Sequence, residues 1–569
     1  LKLVLCEKPS VGNTVAKVLG IKGRKDGYIE CGDHIVSWCI GHLVGLALPD
    51  EYGAEYKKWD KLPIIPAEWK YNILPATKKQ FDIIRRLMNR KDVDGIVCAT
   101  DAGREGELIF RLVYNEAECK KPIERLWISS LEDTAIKNGF KSLHKGSDFD
   151  NLYKSALCRE RADWLIGMNL SRFFTVKNEK VFSIGRVQTP TLAMIVTRDM
   201  EIRDFKKGYY YTVDLNCDTF TVKSEKIDSK ETAENLCNGC ETAKVVSVKK
   251  ERKITVPPKL YDLTTLQREA NKHYSFTAQQ TLDIVQKLYE GKLVTYPRTD
   301  SRYLTEDMEG TACDVILAIK DTFDIELKDR PNIKPVMNNK GVTDHHAIIP
   351  TENISKTAVA NLSDGEQKVL RLISVRLLSA TAPKEEYEST KVELECNGEK
   401  FTTTGKKVIN MGFKAIENTD TEKESTLPDI QQDTEYKVTP KVSEHETKPP
   451  KAYTEDTLLS AMERAGGKDF DKEVERTGLG TPATRASIIE TLVKRKYMER
   501  KGKNLISTAL GKELIKAVPD NLTSPDMTVQ WENELSQIAQ GNAESDKFMQ
   551  GIEKFIKDTV SEQTEVFYD

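Results

Sequence analysis

No stretch of this 569-residue chain approaches the roughly 18 consecutive apolar residues that a membrane-spanning helix needs, and none is expected to cross a bilayer. The opening LKLVLCEKPS has an apolar run of five residues before a glutamate. That is too short for the core of a secretion signal and reads as a strand. Net charge is nearly absent: 86 Lys and Arg stand against 89 Asp and Glu, for a balance of −3. Any surface for a polyanion must therefore be local, set against acidic surface elsewhere. The 11 cysteines stop at Cys396, are odd in number and follow no spacing. Such usage excludes a disulfide scaffold and fits reduced thiols in a cytoplasmic protein. The one C-x-x-C, Cys237 to Cys240, lacks a second pair at zinc-ribbon spacing. A nucleotide-binding G-x-x-x-x-G-K-[ST] loop is missing too, so nothing points to ATP.

Hydrophobic residues make up 39% of the chain, enough for globular cores and too many for disorder. At roughly 150 residues per domain, about four units are expected. Residues 1–150 alternate strand and helix patterns: an apolar strand at 2–6, a helix at 11–19, a buried strand GIVCAT at 95–100, then a helix with Leu108, Ile109, Leu112 and Val113 on one side. This alternation predicts a mostly parallel sheet. Residues 151–205 read as helical, 206–256 as strands, 257–384 as helical, 385–445 as strands and 446–569 as mostly helical. The two β segments read as halves of one domain into which 257–384 is inserted.

Glu7 follows the first strand and Asp101 follows GIVCAT, with Glu105 beyond. Ligands of parallel α/β sheets bind off the carboxyl ends of the strands. Hard carboxylate oxygens gathered there suit Mg²⁺, which keeps several waters and meets phosphate. Strand-end carboxylates that merely cap helices are the plainer alternative. Glu107 also lies on the following helix, so spacing leaves the third ligand open.

Residues 277–290 (TAQQTLDIVQKLYE) predict a helix, with Thr277 and Gln280 as a capping box and Gly291 beyond its end. A short strand, KLVTY, is expected next, ending at Tyr296; Pro297 turns the chain, and Arg298 and Arg302 bring positive charge to the phenol. A phenol titrates near 10. It attacks phosphorus only where cations stabilise the developing charge. The alternative is a core tyrosine beside surface arginines.

Six segments in register then resemble type IA DNA topoisomerases: EKPS at 7–10, TDAGREGELI at 100–109, SIGRVQTPTL at 183–192, TYPRTDSRYL at 295–304, DHHAIIPT at 344–351 and GLGTPATRASIIETLV at 478–493. WCIGHLVGLALP at 38–49 and KKWDKLPIIP at 57–66 place the likeness nearest the bacterial topoisomerase III branch. The resemblance implies a multi-domain α/β and α+β torus: a Toprim α/β domain at 1–150, a helical base with a winged-helix-like unit at 151–205 and 446–569, a β arch at 206–256 and 385–445, and an inserted helical domain at 257–384. It implies Tyr296 as the nucleophile, Arg298 as the neutraliser of phosphate charge, Glu7 as metal ligand and proton carrier, and Lys8 beside the scissile phosphate. His345 is implied near the active site, sharing a proton with Asp300 or a phosphate. The family's Asp-x-Asp-x-Glu reads Asp101-Ala-Gly103-Arg-Glu105 here, and Gly103 offers no side-chain oxygen. One Mg²⁺ on Glu7 and Asp101, with Glu105 as the third candidate, is thereby favoured over two.

For DNA contact the resemblance implies the loop Ser183, Ile184, Gly185, Arg186, Val187 and Gln188, with Arg186 on phosphate and Gln188 and nearby backbone amides positioning the strand. His42, Arg161, Asn169, Arg172 and Asp300 join as further contacts. Residues 494–503 hold six basic residues around Tyr497, which offers a stacking face. The Asp-His-His string also occurs in phosphoesterases, but seven histidines leave little for the further ligands they need. The implied activity is Mg²⁺-dependent, ATP-independent cleavage, passage and rejoining of a single strand by a monomer, on single-stranded or underwound DNA. A Toprim nuclease or primase, or a non-catalytic DNA-binding descendant, are the competing classes; no helicase partner is identifiable.

Overall fold

The computed structural model describes residues 1–128, 131–342, 345–417, 426–466 and 478–565. Asp344 of the Asp-His-His string lies outside them. Near the N-terminus, the strand Lys2–Cys6 lies between His34–Trp38 and Gly95–Ala99, parallel to both. Ile123–Arg125 extends the sheet in parallel beyond Gly95–Ala99. Short antiparallel strands finish both edges, for seven in all. KLVLC and GIVCA are apolar without alternation because both faces of the sheet are covered. Helix Pro9–Val18 starts at a proline, whose fixed φ suits a first turn, and buries Val11, Val15 and Ala16. Helix Arg104–Glu116 buries Leu108, Ile109, Leu112 and Val113.

A second sheet of seven strands is antiparallel throughout and draws on both β segments. Tyr209–Asn216 pairs with Thr439–Glu446, and Thr242–Thr255 pairs with Glu385–Cys396. The chain thus leaves for residues 257–384 along one strand and returns along its direct neighbour. Its core, including Val213, Val245, Leu394 and Phe401, is separate from the others.

The 29-residue helix Asp150–Asn178 is the spine of the helical base. Helices Asp526–Ala539 and Ser545–Glu565 pack along it. Helix Pro482–Lys494 and the hairpin Met498–Lys501/Asn504–Ser507 form a small winged unit. Helix Ala278–Glu290 has the expected capping box from Thr277 and Gln280. The expected strand KLVTY does not form. Val294 makes one isolated bridge to Pro350, and Thr295 bonds to Ile349 and Ala347. Proline at 297 ends any ladder there, so the segment is pinned by loop contacts instead. A continuous apolar core runs from Cys6 and Trp38 through Phe174 to Tyr296 and Leu458, joining N-terminal, base and inserted regions.

Candidate active site

Cys6 and Ala99 are partners on adjacent parallel strands, so the residues just past them, Glu7 and Asp101, emerge side by side. The Asp101 N–H donates to Oε2 of Glu7 at 3.2 Å. Glu7 is 5% exposed. Burial first, then the negative charge of Asp101, raise its carboxyl to about 7, while Lys8 and Arg298 pull it down. From the inserted region, the Tyr296 hydroxyl donates to Oδ2 of Asp101 at 3.2 Å. Burial and the Asp101 charge hold that phenol well above its ordinary range, with Arg298 opposing. The Arg298 Nε is buried with no hydrogen-bond partner among the described residues, an unspent donor at the phenol's edge.

His345 lies 4.2 Å from Tyr296, centroid to centroid, at a 36° tilt. Its Nε2 meets the Ala102 carbonyl, which only accepts, so Nε2 carries the proton and Nδ1 the lone pair. Nδ1 has no partner among the described residues. Burial drives the imidazole down to about 4, so it is neutral at pH 7. The bond to Ala102 replaces the expected pairing with Asp300, which is exposed. Tyr289 packs edge-on against Tyr296 at 5.5 Å.

Sequence reading missed what holds this corner. Arg125, fully buried, donates to the carbonyls of Cys98, Thr100, Leu126 and Asp101 and pairs with Glu107 at 3.1 Å. Its guanidinium also lies 5.0 Å over Trp127, which stacks on His345. Glu107, the open candidate for a third ligand, is spent on Arg125 and Arg111 and is structural. Two glycines shape the turn. Gly103 sits at φ +152°, where a side chain is strained. At Gly106 a Cβ would lie 2.0 Å from the Asp101 carbonyl oxygen, so only glycine lets the helix approach.

Glu105 is bonded to His42. Its Oε1 meets His42 Nε2 at 2.5 Å, and this bond holds Glu105 below the usual carboxylate range. Burial opposes protonation of His42, but Glu105 outweighs it and raises the imidazole. The expected cluster of three carboxylates is therefore not assembled, and no group of three ligating side chains gathers among the described residues. What remains is the Glu7–Asp101 pair. Two adjacent carboxylates whose mutual repulsion raises Glu7 fit a hard divalent cation that keeps most of its waters.

The expected DNA contacts divide. Asn169 is buried and satisfied within the protein: Oδ1 accepts from Ile64 N–H, and Nδ2 donates to the Ile64 and Leu165 carbonyls. It fixes the Ile64 loop and is not a surface contact. Arg186, expected on phosphate, is 1% exposed and pairs with Asp163 and Glu532, each at 2.9 Å. The amides of Ser183, Ile184 and Gly185 donate to Tyr497, Ser171 and Thr189, so they are not free for a strand. Ile184 and Val187 are buried. Gln188 accepts from Arg495. Tyr497 is buried and offers no stacking face. Arg302 pairs with Asp262 and Glu463, away from the phenol's service. Arg172 donates to the Tyr56 carbonyl and covers Trp59, and Arg161 covers Trp69. Both remain partly exposed, as do Lys8 and His42.

A DNA topoisomerase family model matches residues 147–550, and a Toprim domain model matches residues 2–131. The chain belongs to the type IA DNA topoisomerases. It is 42% identical to DNA topoisomerase 3 of Bacillus licheniformis and of Bacillus subtilis, in each case over 98% of this chain and 81% of the relative. DNA topoisomerase 3 of Staphylococcus saprophyticus is 40% identical over 98% of this chain and 82% of its own. The fold is similar to that of full-length topoisomerase I from Thermotoga maritima, with a TM-score of 0.78 at 23% identity, covering 98% of this chain and 90% of that one. This topoisomerase is thus an isomerase of DNA, close to the topoisomerase III branch, with an N-terminal Toprim domain in a torus-like multi-domain fold. No helix among the described residues is long and apolar enough to cross a membrane.

Proposed function

We propose that Tyr296 cleaves one DNA strand by transesterification and that the same pocket reseals it after a second strand has passed. The observation that carries this reading is the bond from the Tyr296 hydroxyl to Asp101, made from the inserted region onto the strand-end carboxylates of the Toprim domain. Tyr296 Oη attacks phosphorus and forms a phosphotyrosine at the 5′ side. The P–O3′ bond breaks, and O3′ leaves as a hydroxyl. Asp101 orients the phenol and is placed to take its proton. Glu7, buried beside Asp101, is the second carboxyl placed to exchange a proton with O3′. Arg298 faces the phosphate charge with its unspent Nε, and His345 presents the Nδ1 lone pair to the O3′ hydroxyl or a water. Resealing is the same exchange reversed, so bond energy is conserved and no ATP is needed.

Glu7 and Asp101 would hold Mg²⁺, which neutralises charge at the phosphate when bound. The buried phenol must separate from Asp101 for a strand to pass. The ion pairs that must open include Lys292–Asp133 at 2.6 Å, Arg268–Asp456 at 2.8 Å and Arg302–Glu463 at 3.0 Å. The paired strands leading into and out of the inserted region are the natural hinge. The expected outcome is relaxation of negative supercoils and decatenation by a cytoplasmic monomer. Melting a duplex costs on the order of 1–2 kcal/mol per step, which makes underwound or gapped DNA the preferred substrate. A supercoiled-plasmid assay with and without Mg²⁺ tests the reading. Relaxation dependent on Mg²⁺ and independent of ATP supports it; nicked or linear product with free ends shows a nuclease instead.

A further inference from the structure

Glu532 lies on helix Asp526–Ala539, hundreds of residues from the motifs of the Toprim domain, yet it is 1% exposed at the edge of the catalytic corner. It meets three guanidinium groups: Arg186 Nη2 at 2.9 Å, Arg104 Nη2 at 3.2 Å and Arg159 Nε at 3.7 Å. Asp163 meets Arg186 at 2.9 Å and Arg159 at 3.9 Å. Within this cluster three guanidinium groups face the two carboxylates of Glu532 and Asp163, and Glu105 and Glu160 add two more at the adjoining cavity. Arg104 Nη1 and Arg186 Nη1 have no partner among the described residues. Arg104 and Arg159 line a cavity of about 370 Å³ that also exposes His42, Glu105, Glu160 and Asp163. Arg104 immediately precedes Glu105 and lies three residues past Asp101, so the cavity adjoins the catalytic turn.

The arrangement has a physical consequence. A guanidinium has five donors in a rigid fork. Arg104 and Arg186 bond Glu532 through Nη2 and each keep Nη1 without a partner among the described residues, while Arg159 lies at ion-pair distance. Two further carboxylates, Glu105 and Glu160, border the same cavity with Asp163 and would capture any arginine released from Glu532. An arginine captured there is lost to a phosphate.

We propose that Glu532 is a positioning residue for single-strand binding: it holds Arg104 by one edge and Arg159 at ion-pair distance, with Arg186 as a buried strut, so that both present charge to phosphates entering the cavity. The inference rests on the strand-cleaving function proposed above. It gives the C-terminal helix a part in substrate recognition.

The test uses the full chain and a fluorescent single-stranded oligonucleotide. Noncovalent affinity is followed against salt, and the Tyr296 adduct against oligonucleotide concentration. In Glu532→Gln the half-saturating concentration rises about tenfold while the maximal adduct per folded protein is kept. The salt slope flattens by about 0.7 for each phosphate no longer neutralised. Glu532→Asp, which restores the charge, recovers affinity and slope. Unchanged affinity and slope in folded Glu532→Gln overturn the proposal, as does tighter binding with a steeper slope. If Glu532→Gln does not fold, Arg104→Gln decides: a slope flattened by about 0.7 supports the proposal, and an unchanged slope overturns it. A wild-type protein that forms no Tyr296 adduct overturns the function proposed above, while the noncovalent slopes still judge Glu532.

Discussion

The Tyr296 hydroxyl donates to Oδ2 of Asp101 at 3.2 Å although 195 positions separate the two in sequence. The bond joins a phenol on the inserted region to a carboxylate at the end of the Toprim sheet. Asp101→Asn keeps an acceptor but removes the charge. The rate of adduct formation should fall by ~10²–10⁴, the range for loss of a positioned acid or base. Quench-flow with a labelled oligonucleotide measures it; a rate within a few-fold of wild type would show that Asp101 only packs against the phenol.

Arg125 is the keystone behind that carboxylate. Arg125→Met removes donors from four carbonyls and strips Glu107 of one of its two arginines. Leaving buried charge and carbonyls uncompensated should cost about 3–5 kcal/mol, seen as a lower urea midpoint for unfolding of the Toprim domain. Under conditions where the variant stays folded, adduct yield should still drop, because both Asp101 and the Trp127–His345 stack lose their support. A variant of wild-type stability would refute this role.

His345 supplies a pH signature. Its folded-state pKa, depressed to about 4 by burial, lies below the ordinary imidazole value. The folded protein therefore resists protonation that the unfolded chain accepts. The contribution to stability is fully present above about pH 6.5 and is lost as pH falls toward 4, by about 3 kcal/mol. His345→Gln should flatten this stretch of the stability–pH curve from chemical denaturation. A slope equal to that of wild type would mean the imidazole is solvated.

Asn169 separates stability from binding. Asn169→Ala leaves the Ile64 N–H and carbonyl without their partner and should cost about 1–3 kcal/mol. Single-strand affinity of the folded variant should stay within about twofold, as measured by anisotropy. A large loss of affinity at unchanged stability would return Asn169 to the DNA surface.

The legible parts of this protein were those written locally. Apolar runs at 2–6 and 95–99, the capping box at Thr277 and the carboxylates just past strand ends all follow from spacing, and the structure pairs Glu7 with Asp101 accordingly. Illegible were the residues whose roles depend on distant partners. Arg186 reads as a surface cation until Glu532, 346 positions away, is folded against it. Asn169 reads as a polar surface group until the Ile64 loop arrives. Glu105 reads as a metal ligand until His42 claims its carboxylate. For Arg186 and Asn169, a polar side chain that reads as facing an external partner is buried and therefore needs an internal one. Arg125 left no local sign, because a buried arginine and an exposed one look alike in sequence.

Covalent joining of Tyr296 to DNA can be measured directly. Reactions with a single-stranded oligonucleotide and Mg²⁺, quenched in denaturant and digested, can be read by mass spectrometry of the peptide containing residue 296. A nucleotide is expected on Tyr296 in the wild-type protein and none in Tyr296→Phe, which still binds the strand. A nucleotide on another residue, or relaxation that survives Tyr296→Phe, would contradict it.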